Sequence, residues 1–316
     1  MTGARTRRRP NLFIIGAPKA GTTSMYEYLR GHPDVYMSPI KEPAFFSPDV
    51  PPQKVRFTFD RDLDRYLELF AGATDERYVG EASTYYIYSR LAPGLIHQFE
   101  PAAKIVAMLR NPVDMAWALH GQRASHGRES ITDFEQALAA DNKPDAGGET
   151  RREQVDKVGR YRDRARYAEQ LERWREVFGR EGVHVIVFED FIADTPAEFG
   201  RLLEWLDIDT TYRPATFAVH NPSHTVRRSL IKSAINTAPG RWASQRLLPR
   251  VIGFERSTRL AQAVKRSDVG RTTEKRKPIP DHVRRQLEAD LLPDVDRLST
   301  MLGRDMAGFW FGASTR

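Results

Sequence analysis

The chain of 316 residues carries 49 basic and 42 acidic side chains, a formal charge of +7, and no cysteine. The missing cysteines exclude disulfides, thiolate metal sites and a cysteine nucleophile. Four positive charges, Arg5, Arg7, Arg8 and Arg9, precede the first apolar segment, so the rest of the chain is only mildly basic. We expect residues 1–10 to form a basic mobile tail, and the composition admits an anionic ligand without requiring nucleic acid.

Apolar runs are too short for membrane insertion. None approaches the roughly 18–20 residues that a membrane helix needs. The run "NLFIIGAP" is also short for a signal peptide and is followed by no small-residue cleavage site. The sequence predicts a soluble, cytoplasmic protein without a transmembrane segment.

Short apolar segments that suit buried parallel strands alternate with helical patterns. The predicted strands are Leu12–Ile15, Val35–Met37, Tyr78–Val79, Ile105–Leu109 and Val183–Phe188. The predicted helices are Thr22–Arg30, Arg61–Phe70, "APGLIHQFE", "PVDMAWALHGQ" and "RYAEQLERWREVFG". This alternation predicts an α/β fold, a parallel sheet like that of the P-loop proteins with helices on both faces.

The pattern also indicates how the chain is organised. Residues 141–160 are polar and contain glycine, which is typical of a long excursion or a lid. After Tyr212 the pattern weakens, with helical stretches expected near Trp242–Leu248 and His282–Leu302. We predict a single domain over residues 11–316, with a core at 11–211 and a C-terminal extension at 212–316.

The segment "GAPKAGTTS" lies between the first strand and the first helix. Such a turn lets backbone N–H groups and the positive end of the helix dipole converge on a phosphate. An ATP or GTP loop would read G-x-x-x-x-G-K-[ST]. Here Thr22 stands at the lysine position and Lys19 lies inside the loop. The sequence therefore predicts a phosphate loop for a different nucleotide.

The fourth predicted strand, "KIVAML", is followed by Arg110. In nucleoside triphosphatases a strand of this kind often ends in an aspartate that helps to hold Mg²⁺. An arginine cannot hold a metal, but it can bind a second phosphate with two hydrogen bonds. Together, the loop and Arg110 indicate a nucleotide with phosphates at two places and no bound metal.

These motifs resemble the sulfotransferases that use 3′-phosphoadenosine 5′-phosphosulfate (PAPS), in the branch related to heparan sulfate sulfotransferases as it occurs in bacterial proteins. The similar segments are "FIIGAPKAGTTSMYEYLRGHPDVYMSPIKEPAFFS", "KIVAMLRNPVDMAWALH", "YAEQLERWREVFGREGVHVIVFEDFIADTPAEFGRLLEWLDI" and "LSTMLGRDMAGFW". The resemblance covers nearly the whole chain. It implies transfer of a sulfuryl group from PAPS to a hydroxyl or an amine.

The resemblance also implies roles for the donor-binding residues. Lys19 would contact the 5′-phosphosulfate and stabilise the leaving phosphate, and Arg110 would hold the 3′-phosphate. The remaining loop residues expected to bind the donor are Ala20, Gly21, Thr22, Thr23 and Ser24. Late basic residues would close over the donor, and the candidates are Arg227 or Arg228 and the stretch Arg271–Arg276.

Two residues are candidates for the base that deprotonates the acceptor. The heparan sulfate branch uses a glutamate before an aromatic pair, and "KEPAFF" places Glu42 there. The cytosolic branch uses a histidine, so His120, near the end of the predicted helix that follows Arg110, is the second candidate. Ser83, Thr84 and Tyr85 follow the third strand and are expected to line the acceptor site.

Three positions depart from the family pattern. Ala118 stands where a serine usually contacts the 3′-phosphate, and Met115 stands where many relatives have an arginine. Ala82 replaces a lysine of the heparan sulfate branch. These changes predict that the 3′-phosphate is bound more weakly or by residues elsewhere in the chain, and they make a polysulfated glycan a less secure choice of acceptor.

Two other functions stay open: a Mg²⁺-dependent P-loop kinase or nucleotidase, and a non-catalytic polyanion-binding protein. The eight histidines show no H-E-x-x-H spacing, so no metal site is predicted. No run of aromatic and basic residues indicates a nucleic-acid partner. The expected partner is a small-molecule, lipid or glycan acceptor, and nothing in the sequence indicates an oligomeric state.

Overall fold

A computed structural model describes residues 8–50, 62–126, 128–141, 160–218, 225–226, 273–274 and 278–312. Within these ranges one parallel sheet contains β1 (Leu12–Gly16), β2 (Val35–Met37), β3 (Tyr78–Ala82), β4 (Lys104–Leu109) and β5 (Val183–Val187). The strand order is β2-β3-β1-β4-β5. Every residue of β1 and β3 is buried, as expected where helices cover both faces of a parallel sheet. The predicted fold class is confirmed.

Helices follow most strands in the described part of the chain. They are α1 (Thr22–Arg30), α2 (Leu63–Leu67) with a 3-10 turn at Glu68–Phe70, α3 (Ala92–Phe99), α4 (Pro112–Ser125), α5 (Phe134–Asp141), α6 (Tyr161–Ala165), α7 (Tyr167–Phe178), α8 (Phe188–Ala193), α9 (Thr195–Leu206), α10 (Asp281–Leu302) and α11 (Met306–Phe311). A separate antiparallel pair joins β6 (Thr225–Val226) to β7 (Thr273–Glu274).

The observed bounds of β2 and α1 equal the predicted ones. β3 continues three residues beyond the predicted Val79, because Gly80, Glu81 and Ala82 pair with β1 although their side chains are weak strand formers. The fifth strand ends at Val187, because Phe188 begins α8. The helix expected near Trp242–Leu248 and residues 142–159 of the expected excursion lie outside the described residues.

The sheet topology places a crevice beside β1. The chain first adds β2 and β3 on one side of β1 and later adds β4 and β5 on the other. In open parallel sheets the ligand crevice lies outside the carboxyl ends of the strands, at the point where the order reverses. The turns after β1, β3 and β4 are therefore the ones that build the site.

The described part of the C-terminal extension packs on the core. Asp294 of α10 accepts hydrogen bonds from the N–H groups of Ala168 and Glu169, at 2.9 and 3.3 Å, and thereby caps the first turn of α7. Asn111, the N-cap of α4, donates from Nδ2 to the carbonyl of Trp310 in α11 at 2.8 Å. The division into core and extension stays a prediction.

Candidate active site

The turn between β1 and α1 is shaped for a phosphate. Gly21 precedes α1 with a φ of 83° and has no side chain to cap the helix, and the first turn contains no acidic residue. A Cβ at Gly21 would lie 3.2 Å from both the Phe188 and Phe191 rings. Glycine is required by both φ and space, and the first N–H groups of α1 are not capped by a side chain at Gly21.

Lys19 lies in this turn with a φ of 65°, a left-handed conformation that is uncommon for lysine. Burial lowers the pKa of its amino group, and the positive charges of Arg110 and Lys41 lower it further. Three cations therefore act on one small region. Such mutual repulsion is relieved when an anion binds among them, so the donor set fits a polyphosphate or phosphosulfate ligand.

Arg110 lies directly beside the loop, as predicted. Its Nη1 donates to the carbonyl of Lys19 at 3.1 Å, and its guanidinium lies 4.9 Å from the centre of the Phe188 ring. The adjacent Asn111 N–H donates to Oε1 of Glu189 at 2.9 Å, which fixes the end of β4 against α8. Arg110 is thus held at the carboxyl end of β4 with its charge toward the phosphate loop.

Lys41 is a site residue that the sequence analysis did not identify. Its Nζ lies 3.3 Å from Oγ1 of Thr22 and 3.0 Å from Oε1 of Glu42. It therefore connects the first turn of α1 to the candidate base. Its position directly before Glu42 in "KEPAFF" is the one sequence feature that could have indicated this role.

Glu42 is fixed by the turn after β3. Its own N–H donates to the carbonyl of Ala82 at 2.8 Å, and its φ is 64°. The N–H of Thr84 donates to Oε2 at 2.8 Å, and the Thr84 hydroxyl lies 3.1 Å from Oε1. The Glu42 side chain is 35% exposed, so an acceptor can reach a carboxylate whose orientation is already set.

A buried glutamate, Glu81, stabilises the segments around Glu42 through hydrogen bonds. Glu81 accepts hydrogen bonds from the hydroxyls of Tyr66 at 2.9 Å, Tyr86 at 2.8 Å and Ser83 at 2.6 Å. Ser83 in turn accepts from the N–H of Ala44 at 2.9 Å, which anchors the segment after Glu42. Burial raises the pKa of Glu81 to about 7, although the three hydroxyls lower it. Sequence reasoning did not assign Glu81 a role.

His120 does not join this group. It lies eight residues beyond Pro112, roughly 12 Å along the axis of α4. The side chain is buried, its Nε2 lies 2.9 Å from the carbonyl of Ile131, and its ring contacts those of Phe134 and Tyr161. This environment is that of a packed core histidine, so the base assignment below goes to Glu42.

The remaining predicted positions divide into two sets. Met115 is buried and Ala118 is half-buried on α4. Arg227, Arg228 and Arg271 lie outside the described residues, as do all of Arg271–Arg276 except the β7 pair. Their roles stay predictions.

The described ranges contain neither a metal-ligand cluster nor a membrane-spanning helix. Among those residues no group of three or more His, Cys, Asp or Glu side chains could hold a metal ion. In the same part of the chain no helix is long and apolar enough to cross a membrane.

The fold and the loop define an α/β protein of the phosphate-loop class. A sequence model of the sulfotransferase family matches residues 10–212. The chain therefore belongs to the sulfotransferase family, and the predicted family is confirmed.

Individual relatives agree with this assignment. Human heparan sulfate glucosamine 3-O-sulfotransferase 6 is 28% identical over 207 residues, which are 66% of this chain and 55% of that protein. Mouse carbohydrate sulfotransferase 15 is 29% identical over 178 residues, or 42% of this chain and 30% of that protein. The chain thus spans about half the length, or less, of these curated relatives.

A solved structure extends the similarity over almost the full chain. The sulfotransferase from Alicyclobacillus acidocaldarius superposes with a TM-score of 0.66 at 28% identity. The match covers 96% of this chain and 99% of that one. The similarity therefore includes the C-terminal part as well as the segment that the family model matches.

Proposed function

We propose that the protein transfers the sulfuryl group of PAPS to a hydroxyl or an amine of a glycan, lipid or small-molecule acceptor, without a metal. One observation carries the proposal: Lys41 joins the first turn of α1 to Glu42, so an anion site and a candidate base meet through one side chain. Family membership supports the donor, and the names of the heparan sulfate and carbohydrate relatives favour a glycan among the acceptor classes.

The donor side follows from the charges around the loop. Lys19 and the N–H groups from Ala20 to Ser24 would surround the 5′-phosphate, where the helix dipole adds positive charge. Arg110 would bind the 3′-phosphate with its planar guanidinium. Lys19 and Lys41 would neutralise the charge that develops on the leaving phosphate oxygen.

The acceptor side needs a base and a fixed approach. As the bond between sulfur and the phosphate oxygen breaks, a bond forms between sulfur and the acceptor oxygen or nitrogen. The acceptor proton passes to Glu42, whose carboxylate is held by Thr84. This clamp holds the carboxylate in place before the acceptor arrives, which lowers the entropic cost of reaction.

The direct test is an assay with PAPS labelled in the sulfuryl group. Purified protein in EDTA buffer is mixed with a panel of hydroxyl and amine acceptors that includes oligosaccharides, lipids and phenols. Labelled product that forms with at least one acceptor and without Mg²⁺ supports the proposal. Labelled product in a parallel assay with Mg²⁺ and ATP labelled in the γ-phosphate, with none from PAPS, would instead indicate a kinase. The cytoplasmic location stays a prediction from the sequence.

A further inference from the structure

A buried arginine side chain lies against the turn that holds Glu42, and it makes no hydrogen bond to any of the described residues. Arg164 of α6 is 2% exposed. Its Nε, Nη1 and Nη2 are all buried and make no hydrogen bond within the described part of the chain. The guanidinium lies 4.9 Å from the centre of the Tyr85 ring and 5.2 Å from that of Tyr88. These two rings make the cation–π contacts described for Arg164.

This arrangement leaves the arginine only partly satisfied. Aromatic faces attract a cation, but they do not replace the acceptors that five N–H donors need. An unpaired buried charge is among the most costly features of a protein interior. The nearby carboxylate of Asp163 is paired with Arg160 at 3.3 Å. The guanidinium nitrogens of Arg164 therefore lack the acceptors that a bound anion would supply.

The surroundings are positively charged. Burial raises the pKa of the Tyr88 phenol; the charge of Arg164 opposes that rise, the Asp163 carboxylate adds to it, and Arg160 and Arg90 oppose it further. Arg90 lies 3.9 Å from Glu169, and Arg160 pairs with Asp163. Of these three arginines, Arg164 is the one without a carboxylate partner in the described structure. The field at this point favours a negatively charged group.

Arg164 is connected to Glu42 through two consecutive residues, Tyr85 and Thr84. Tyr85, under the Arg164 guanidinium, directly follows Thr84, whose N–H and hydroxyl hold the Glu42 carboxylate. Consecutive Cα atoms are about 3.8 Å apart. The Arg164 contact and the Glu42 contact thus meet on consecutive residues of the turn after β3.

We propose that Arg164, Tyr85 and Tyr88 form an anion subsite that binds a carboxylate or a sulfate ester of the acceptor, beside the group that is sulfated. The inference rests on the proposed function, because it assigns this subsite to the acceptor. The flat guanidinium would bind either anion with two hydrogen bonds, and the two tyrosine rings would hold the guanidinium in its plane.

The first test measures anion binding by thermal shift. Adenosine 3′,5′-bisphosphate is added to saturation so that the phosphate loop is filled. Sodium sulfate and sodium glucuronate are then titrated against sodium chloride of equal ionic strength. We expect at least one of the two anions to raise the melting temperature of the wild type. Arg164→Met should abolish that rise, and Arg297→Met, which alters an exposed pair with Glu172, should retain it.

The second test measures acceptor preference. Acceptor pairs that differ only by a carboxylate or a sulfate ester are compared with neutral partners. Arg164→Met should raise KM at least tenfold for the anionic member and leave the neutral member unchanged. Arg164→Lys, which keeps the charge but loses the planar fork, should give an intermediate KM.

Each failure has a distinct meaning. No response of the wild-type melting temperature to either anion, or equal effects of Arg164→Met on charged and neutral acceptors, would overturn the subsite. If adenosine 3′,5′-bisphosphate binds neither the wild type nor Arg164→Met, the result counts against the proposed donor. If Arg164→Met melts higher than the wild type without added anion, the buried charge is unpaired, as the subsite requires.

Discussion

Thr84 holds Glu42 by two hydrogen bonds, from its backbone N–H to Oε2 at 2.8 Å and from its hydroxyl, 3.1 Å from Oε1. The backbone donor comes from the turn directly after β3, so the carboxylate is oriented by the rigid sheet. Lys41 contacts the same Oε1 from the side of the phosphate loop. The candidate base is thus tied both to the sheet and to the donor site.

Glu42→Gln should abolish transfer and leave donor binding intact. The amide keeps the shape of the side chain but cannot accept the acceptor proton, so we expect kcat/KM to fall about 10²- to 10⁴-fold. Labelled-sulfuryl transfer and calorimetry with adenosine 3′,5′-bisphosphate measure the two effects. Glu27→Gln, which alters a pair with Arg30 within α1, is the matched control. Full activity in Glu42→Gln would remove the base from this residue.

Lys41→Met should weaken both donor binding at the phosphate loop and proton transfer to Glu42. The substitution removes the charged contacts with Thr22 and Glu42. Hydrogen bonds to charged groups contribute about 1.5–3 kcal/mol, so kcat/KM should fall about 10- to 100-fold. Steady-state kinetics with varied PAPS measures the fall. Lys104→Met, whose ammonium lies 4.7 Å from the centre of the Trp205 ring, is the control and should retain activity. Equal activities of the two variants would refute the role of Lys41.

Glu81→Gln should change how stability depends on pH. The pKa of Glu81 is about 7 in the folded protein and 4.5 as the reference, so folding favours the protonated form. Its contribution is complete below pH 4.5 and is lost as the pH rises through about 7. Each pKa unit is worth about 1.4 kcal/mol, which makes the total about 3 kcal/mol.

Glutamine carries no proton to lose, so the stability of Glu81→Gln relative to the wild type should increase between pH 5 and pH 8. Urea unfolding at both pH values measures the free energy of unfolding of each protein. Glu76→Gln, at an exposed turn, should show no such increase. A difference between Glu81→Gln and wild type that is the same at both pH values would contradict the prediction.

His120→Phe should reduce stability without reducing chemistry. Phenylalanine keeps contacts with Phe134 and Tyr161 but removes the hydrogen bond with the Ile131 carbonyl. A lost buried partner costs about 1–3 kcal/mol. Thermal unfolding should show this loss, while kcat per folded molecule stays unchanged. A kcat that falls as far as in Glu42→Gln would make His120 the base.

The sequence predicted the parts of the site that local pattern controls. Lys19 and Arg110 follow adjacent parallel strands, so their proximity follows from the strand order expected of this fold. The bounds of α1 follow from an apolar face and a glycine at each end. These features need no knowledge of distant contacts.

The missed parts depend on tertiary contacts. Lys41 contacts Thr22 from a segment in which Glu42 and Ala44 adopt positive φ values, and nothing in "KEPAFF" predicts that conformation. Glu81 is buried in a strand, where a charged side chain is rare and is normally expected to face solvent. Arg164 likewise lies in a basic stretch that reads as a solvated helix face. Each position is decided by its neighbours in space.

We propose above a metal-free site for a nucleotide with separate 3′- and 5′-phosphates. Calorimetry in EDTA buffer tests it, with adenosine 3′,5′-bisphosphate, AMP and ATP titrated into wild type and Arg110→Lys, and with the ATP titration repeated in Mg²⁺ without EDTA. The wild type should bind the bisphosphate at least about tenfold more tightly than AMP or ATP, and Arg110→Lys should lose that preference. Equal affinity of the wild type for the bisphosphate and AMP, or tight binding of ATP only with Mg²⁺, would contradict the account.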